Sequence, residues 1–262
     1  MVYLTLATTA RDEDDYIEEW VHYHRLIGFE RFIIHDDRSK KPIADLFKGQ
    51  DDVEVTRSEQ WIPHPHIFGK HIINNRGKTK WIALLDIDHA LVAPGHDDVK
   101  VLLQKYDKYA GLVINAHQFG SSGYITKPTG QIESFIHRSP AEHRRNYVFQ
   151  LIGQPERCGG NFSTPHSCNY IGGYQCCTEN FEPIHDQQYG AKTVSQQKIW
   201  VNHYYCRYKE AWDRKADSLR PDNGLKRNFK TWEEVDHKDI VDTTARDIYR
   251  RLQLESSRQL KQ

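Results

Sequence analysis

The sequence predicts an α/β fold in which a mostly parallel sheet is covered by helices on both faces and followed by a helical C-terminal appendage. Three observations lead there. Short β-prone runs alternate with stretches of helical period through the first ninety residues, the pattern of β-α-β units. Three of those runs end in polar residues, at Thr8 and Thr9, at Asp36 and Asp37, and at Asp86 and Asp88. With 38% hydrophobic and 11% aromatic residues, the 262-residue chain can fill one large core.

The first run, VYLTLATTA (Val2 to Ala10), is strand-like and stops at the charged RDEDD. A helix follows, because Ile17, Trp20, Val21, His24 and Ile27 recur at helical spacing, acidic residues occupy the first turn and Gly28 is placed to end it. ERFIIHDDRS then supplies a strand from Arg31 to His35 that ends in Asp36 and Asp37. PIADLFKG reads as a short helix stopped by Gly49, and VEVTRS as a third strand. Pro63 and Pro65 argue against helix around them, while His66 to Arg76 suits one. KWIALLDIDHALVAP carries a buried strand from Trp81 to Leu85. The segment GQIESFIHR alternates like a strand around Glu133, and the tail from Trp232 onward reads as helix with an apolar stripe of Ile240, Ala245, Ile248, Tyr249 and Leu252.

Composition removes several classes of function. Thirty-six basic residues balance thirty-six acidic ones, so no overall field favours nucleic acid or an anionic membrane. No apolar run spans a bilayer, and MVYLTLATTARDEDD shows neither a basic leader nor a cleavage site, which together lead to the expectation of a cytoplasmic protein without integral membrane contact. The five cysteines have no C-x-x-C spacing and are expected to be free thiols.

The polar strand ends define a rim, and in open α/β sheets ligands bind outside the carboxyl ends of the strands. If Asp86 and Asp88 sit on extended backbone, their side chains project to one side with period two. Two hard oxygen ligands so placed suit a magnesium or manganese ion that also holds phosphate oxygens. A bare D-x-D also occurs in solvated turns; here a buried strand precedes it and the apolar step Ala90 to Val92 follows.

Four blocks carry a family resemblance. RDEDDYIEEWVHYHRLIGFERFIIHDDRS, WIALLDIDHA, FGSSGYITKP and VNHYYCRYKEAWDRK, in that order over roughly residues 2 to 215, resemble the blocks of GT-A glycosyltransferases related to families 2 and 92 of the sequence-based classification. The resemblance implies a Rossmann-like GT-A fold that transfers a sugar from a nucleotide donor, UDP-sugar favoured and GDP-sugar open, to a glycan acceptor with Mn2+ or Mg2+. It places Thr8, Arg11 and Glu13 near the base, Asp36 or Asp37 at the base or ribose, and Asp86, Asp88 and His203 on the metal. Lys215 would contact phosphate, and the Ser121 loop would contact donor or acceptor. The family's glutamate after the D-x-D is His89 here, which fits a metal ligand, a bond to an acceptor hydroxyl, or a site with weakened metal use.

An inverting transferase needs a base near the acceptor hydroxyl. Glu133, His166 and Asp186 are the candidates, with Glu133 also readable as an ordinary strand residue. The expected organisation is a GT-A domain over residues 1–215 and a helical extension over 216–262 packed on it. Two other classes stay open: a nucleotide-sugar hydrolase or nucleotidyltransferase, although ATTARDEDD lacks the glycine-rich basic loop of the pyrophosphorylases, and a binding module without turnover. Oligomeric state is not written in any of these motifs.

Overall fold

Alternating strands and helices build the sheet that the first ninety residues call for. In the computed structural model, which describes residues 1–164, 166–190, 193–216, 218–219, 223–225 and 231–259, the chain opens with β1 (Val2–Ala10), α1 (Ile17–Leu26), β2 (Arg31–Asp37), β3 (Val53–Ser58), α2 (His64–Asn74) and β4 (Thr79–Leu84). It continues through β5 (His89–Val92), α3 (Val99–Leu103), β6 (Gly111–Ile114), β7 (Ala116–Gln118), α4 (Gln131–Ser134), β8 (His137–Arg138) and β9 (Gln150–Gly153). The remainder carries β10 (Cys158–Thr164), β11 (Ser167–Tyr170), β12 (Cys176–Cys177), β13 (Pro183–Ile184), β14 (Trp200–His203), α5 (Lys209–Ala216), β15 (Ile240–Val241) and α6 (Thr244–Gln259).

Eight strands form the main sheet in the order β13-β12-β6-β9-β4-β1-β2-β3. β1, β2, β3 and β4 are mutually parallel, and only β9 and β13 run against their neighbours. Ala10 pairs with Asp36 and Ala7 with Leu84, so the polar ends of β1, β2 and β4 reach one edge. Alternate side chains enter two cores, as period two requires. Leu4, Leu6, Phe32, Ile34, Trp81 and Ala83 pack with α1, whereas Ala7, Ile33, Ile82 and Leu84 pack with Phe68 and Ile72 of α2.

A smaller sheet, β5-β14-β7, stands beyond the end of β4. β14 pairs antiparallel with β5, so His203 lies opposite His89, and parallel with β7. Among the described residues the outer edge of β5 has no strand partner; α1 fills that place with side chains. Trp20 Nε1 donates to His89 O at 2.8 Å, Tyr23 Oη donates to Leu91 O at 2.7 Å, and Leu91 N donates to His24 Nε2 at 3.2 Å. Gly28 ends the helix at φ 106°, where a side chain would be strained and would also collide with Asp98.

Several expectations change. α2 begins at His64 with Pro65 in its first turn, a place where the missing N–H has no helical partner to lose. Glu133 lies on the short helix α4, not on a strand, because Glu19 accepts from the N–H groups of Gln131 and Ile132 and holds that turn. The tail makes one 3₁₀ turn at Trp232–Glu234 and is α-helical from Thr244; between them Ile240 and Val241 pair with Arg138 and His137 of β8, and Asp242 accepts from Thr244 N at 3.0 Å. Of the expected extension, residues 217, 220–222, 226–230 and 260–262 lie outside the described residues. α6 packs on α1, α4 and β5. All five cysteines are free and buried, and among the described residues no helix is long and apolar enough to cross a membrane.

Candidate active site

Asp86 and Asp88 occupy a turn between β4 and β5 instead of extended backbone, since His89 N donates to Asp86 O at 3.0 Å. The two carboxylates therefore do not share one side. Asp88 joins His89 and His203 in a group whose ligand atoms all lie within 4.8 Å of one another; Asp86 falls outside that group. Asp86 Oδ1 is nevertheless buried without a hydrogen-bond partner among the described residues.

Asp88 is the centre of charge. Its Oδ2 lies 3.1 Å from Lys215 Nζ and 3.6 Å from His203 Nε2. Burial opposes the charged form, but Lys215, His203 and His89 outweigh it and hold the carboxyl well below the usual range. α5 delivers Lys215, whose ammonium also donates to Tyr205 O at 2.8 Å and sits 4.2 Å from the Tyr205 ring centre. Burial lowers the pKa of His203, and Asp88 only partly offsets this.

His89 has a defined proton. Asp86 N donates to His89 Nδ1 at 3.1 Å, so that nitrogen accepts and the neutral ring carries its hydrogen on Nε2. Burial and then His203 lower its pKa to about 4, which keeps it neutral at physiological pH. In this tautomer His89 offers a hydrogen-bond donor rather than a lone pair, and Nε2 is buried and unpartnered among the described residues.

The donor set fits a divalent cation. The carboxylate of Asp88 and the imidazole of His203 are the hard-to-borderline ligands that manganese or magnesium accept, phosphate oxygens would have to complete the shell, and Lys215 would have to yield its contact with Asp88.

The other sequence candidates divide cleanly. Glu13 reaches the cluster through an ion pair of 2.7 Å with Arg207, a residue the motifs did not single out. His166 stands close enough for its charge to act on His89, and its Nδ1 donates to Phe149 O at 2.9 Å. Arg11 is exposed on the loop after β1.

The rest are committed to the fold. Thr8 is fully buried, its hydroxyl turned to Thr9 O at 3.4 Å. Asp36 accepts from Ser39 N, Ile43 N and Arg57 Nη1 and so shapes the loop after β2, while Asp37 is held by Arg38. Ser121 is buried: its N–H donates to Asp236, and its hydroxyl accepts from Gly123 N. Ser122 accepts from Ile136 N and His137 N, and a side chain on Gly120 would strike the backbone of His237. The hydroxyls of the FGSSG loop thus accept from backbone N–H groups, within the loop at Ser121 and from the start of β8 at Ser122. Glu133 pairs with Arg250 of α6 at 2.6 Å, away from the cluster.

Comparison with known proteins follows this geometry. The sequence profile of glycosyltransferase family 92 matches residues 2–245. A family 92 protein of Ricinus communis is 27% identical over 128 residues, covering 46% of this chain and 23% of its own length, and one of Oryza sativa subsp. japonica is 28% identical over 132 residues, covering 48% and 23%. The chain thus matches about a quarter of the length of these curated relatives. Among solved structures, S. aureus TarS 1-349 in complex with UDP-GlcNAc aligns with a TM-score of 0.38 at 12% identity over 59% of this chain and 46% of its own. HddC from Yersinia pseudotuberculosis aligns with a TM-score of 0.41 at 9% identity over 82% and 97%.

Proposed function

We propose that the chain, which belongs to glycosyltransferase family 92, transfers a sugar from a nucleoside-diphosphate sugar to a glycan acceptor at the rim where β4, β5 and β14 meet. The observation that carries this reading is the convergence of Asp88, His89, His203 and Lys215 outside the carboxyl ends of the parallel strands. Asp88 and His203 are the residues that would hold a manganese or magnesium ion, which when bound supplies Lewis-acid neutralisation of the diphosphate.

The chain's own groups share the task. Lys215 places a positive charge beside the leaving diphosphate, and the Nε2 hydrogen of His89 donates to an oxygen there or on the acceptor. Arg11 and Glu13, on the loop after β1, face the nucleoside. His166 takes the base role, since it stands close enough to the cluster for its charge to act on His89. UDP is the favoured nucleotide.

A second reading has one observation in its favour. Lys215 already compensates Asp88 at 3.1 Å, so the ammonium itself serves as the cation and the site works without a metal. Calorimetric titration of the wild type and Asp88→Ala with UDP, GDP and TDP, with and without manganese, tests both. Binding that requires manganese and vanishes in the variant supports the metal clamp. Binding indifferent to manganese but lost in Lys215→Ala supports the ammonium, and no binding of any nucleotide rejects the transferase reading.

A further inference from the structure

We propose that Arg207 is a diphosphate-binding residue whose guanidinium edge takes two phosphoryl oxygens; this rests on the nucleotide-sugar reading above. Arg207 sits four residues past the end of β14 and two before α5. Its Nη1 makes the 2.7 Å ion pair with Glu13, and Tyr16 lies under the guanidinium at 4.9 Å. Nε and Nη2 remain, both buried and neither donating to any partner among the described residues.

Those two nitrogens are the ones that share an edge. Their N–H bonds run parallel and match two oxygens of one phosphate or carboxylate, the arrangement that makes arginine selective for such groups. A buried charged donor pair without an acceptor is an unusual feature in a folded protein and calls for a ligand. The backbone points the same way: Arg207 has φ 52°, in the left-handed region that is unfavourable for a side-chain-bearing residue and that recurs at ligand sites.

The surroundings select the ligand class. Asp88 acts electrostatically on Arg207, and Asp88 in turn holds Lys215. Two cations, Arg207 and Lys215, thus face two carboxylates, Glu13 and Asp88, a balanced set that gains a net favourable partner from a diphosphate entering with its counter-cation. A lone carboxylate ligand would use the fork but leave Lys215 and His203 without a role.

The test uses the full chain and three probes: inorganic pyrophosphate and UDP by calorimetry in the presence of manganese, and uridine by ligand-observed NMR, with thermal melting as the folding control. Arg207→Lys keeps the charge and the contact with Glu13 but removes the fork. The expected result is a loss of tenfold or more in affinity for pyrophosphate and UDP with uridine binding unchanged. Equal losses for UDP and uridine, or unchanged affinity for pyrophosphate, overturn the assignment and make Arg207 a support for Glu13. If Arg207→Lys does not fold, Glu13→Gln decides, because it leaves the fork intact and removes a counter-charge: pyrophosphate should bind as tightly or more tightly, and weaker binding refutes the proposal. A wild type that binds neither UDP nor pyrophosphate refutes the donor reading itself.

Discussion

The main sheet and the small sheet hold their strands by different means. β1, β2, β3 and β4 are fixed by backbone ladders and by apolar side chains on both faces, so many weak contacts share the task. β5 has one ladder, to β14, and is held on its other edge by three side chains of α1. The site cluster lies at the seam. Its central residue, Asp88, precedes β5 directly, and His203 ends β14. Position in the main sheet is thus distributed, whereas position at the reactive seam depends on a few directed bonds.

The sharpest break in that comparison comes from the seam itself. Asp88→Asn removes the charge that Lys215 and His203 share while keeping the shape, and transfer should fall by roughly 10²–10³-fold, with a lower melting temperature as well because Lys215 loses its counter-charge. A steady-state assay against a nucleotide-sugar panel, paired with a melt, checks this; a full-activity variant would remove Asp88 from the chemistry.

Acid should open the two regions unequally. Burial lowers the pKa of His24 to about 3 and of His117 to about 4, both at or under the small sheet, while beneath the main sheet His71 is lowered to about 4. Each folded value lies below the ordinary histidine value of about 6.5, so the native state keeps these rings neutral and the unfolded chain binds the extra protons. Their contribution is complete above about pH 6.5 and is lost as pH falls toward 4. Protonating His24 also breaks the bond from Leu91 N. Hydrogen exchange at pH 7 and pH 5 should therefore show protection lost first in β5 and last in β1; the reverse order would contradict the seam's dependence on directed bonds.

A milder perturbation separates support from chemistry. Trp20→Phe deletes the donor to the buried His89 carbonyl and should cost about 1–2 kcal/mol of stability. It should also weaken UDP binding, although Trp20 is buried and touches no ligand position. The smallest effect is expected at the far end: Glu133→Gln breaks a solvent-screened pair with Arg250 and should leave both melting temperature and transfer essentially unchanged. A large kinetic loss there would restore Glu133 as a candidate base.

What could be read from the sequence follows the same division. β1 and β2 are visible as short, almost continuously buried β-prone runs, β3 by its alternation, and α1 by burial near period 3.6 with Gly28 marking its stop. The rim was visible in the polar strand ends. Less visible were contacts between residues far apart in the chain. Asp36 looked like a ligand contact and is consumed by Ser39, Ile43 and Arg57; Ser121 looked like a sugar-binding hydroxyl and is buried, with that hydroxyl accepting from Gly123 N. Glu133 alternated like a strand residue, but Glu19 on α1 turned that segment into a helix. Arg207 carries no spacing signal at all, since its distinguishing features are a backbone angle and an unpaired edge. His89 was visible as a departure from the family pattern, yet its role as a donor depends on which nitrogen Asp86 N addresses.

The bonds on the outer side of β5 have a consequence for self-association. On that edge His89 N donates to Asp86 O, His89 O accepts from Trp20, Leu91 N donates to His24 and Leu91 O accepts from Tyr23. Every outward backbone group of residues 89 and 91 is consumed, so no foreign strand can dock there by main-chain pairing. The apolar strand beside the reactive centre is thereby closed to the edge-to-edge recruitment that begins aggregation.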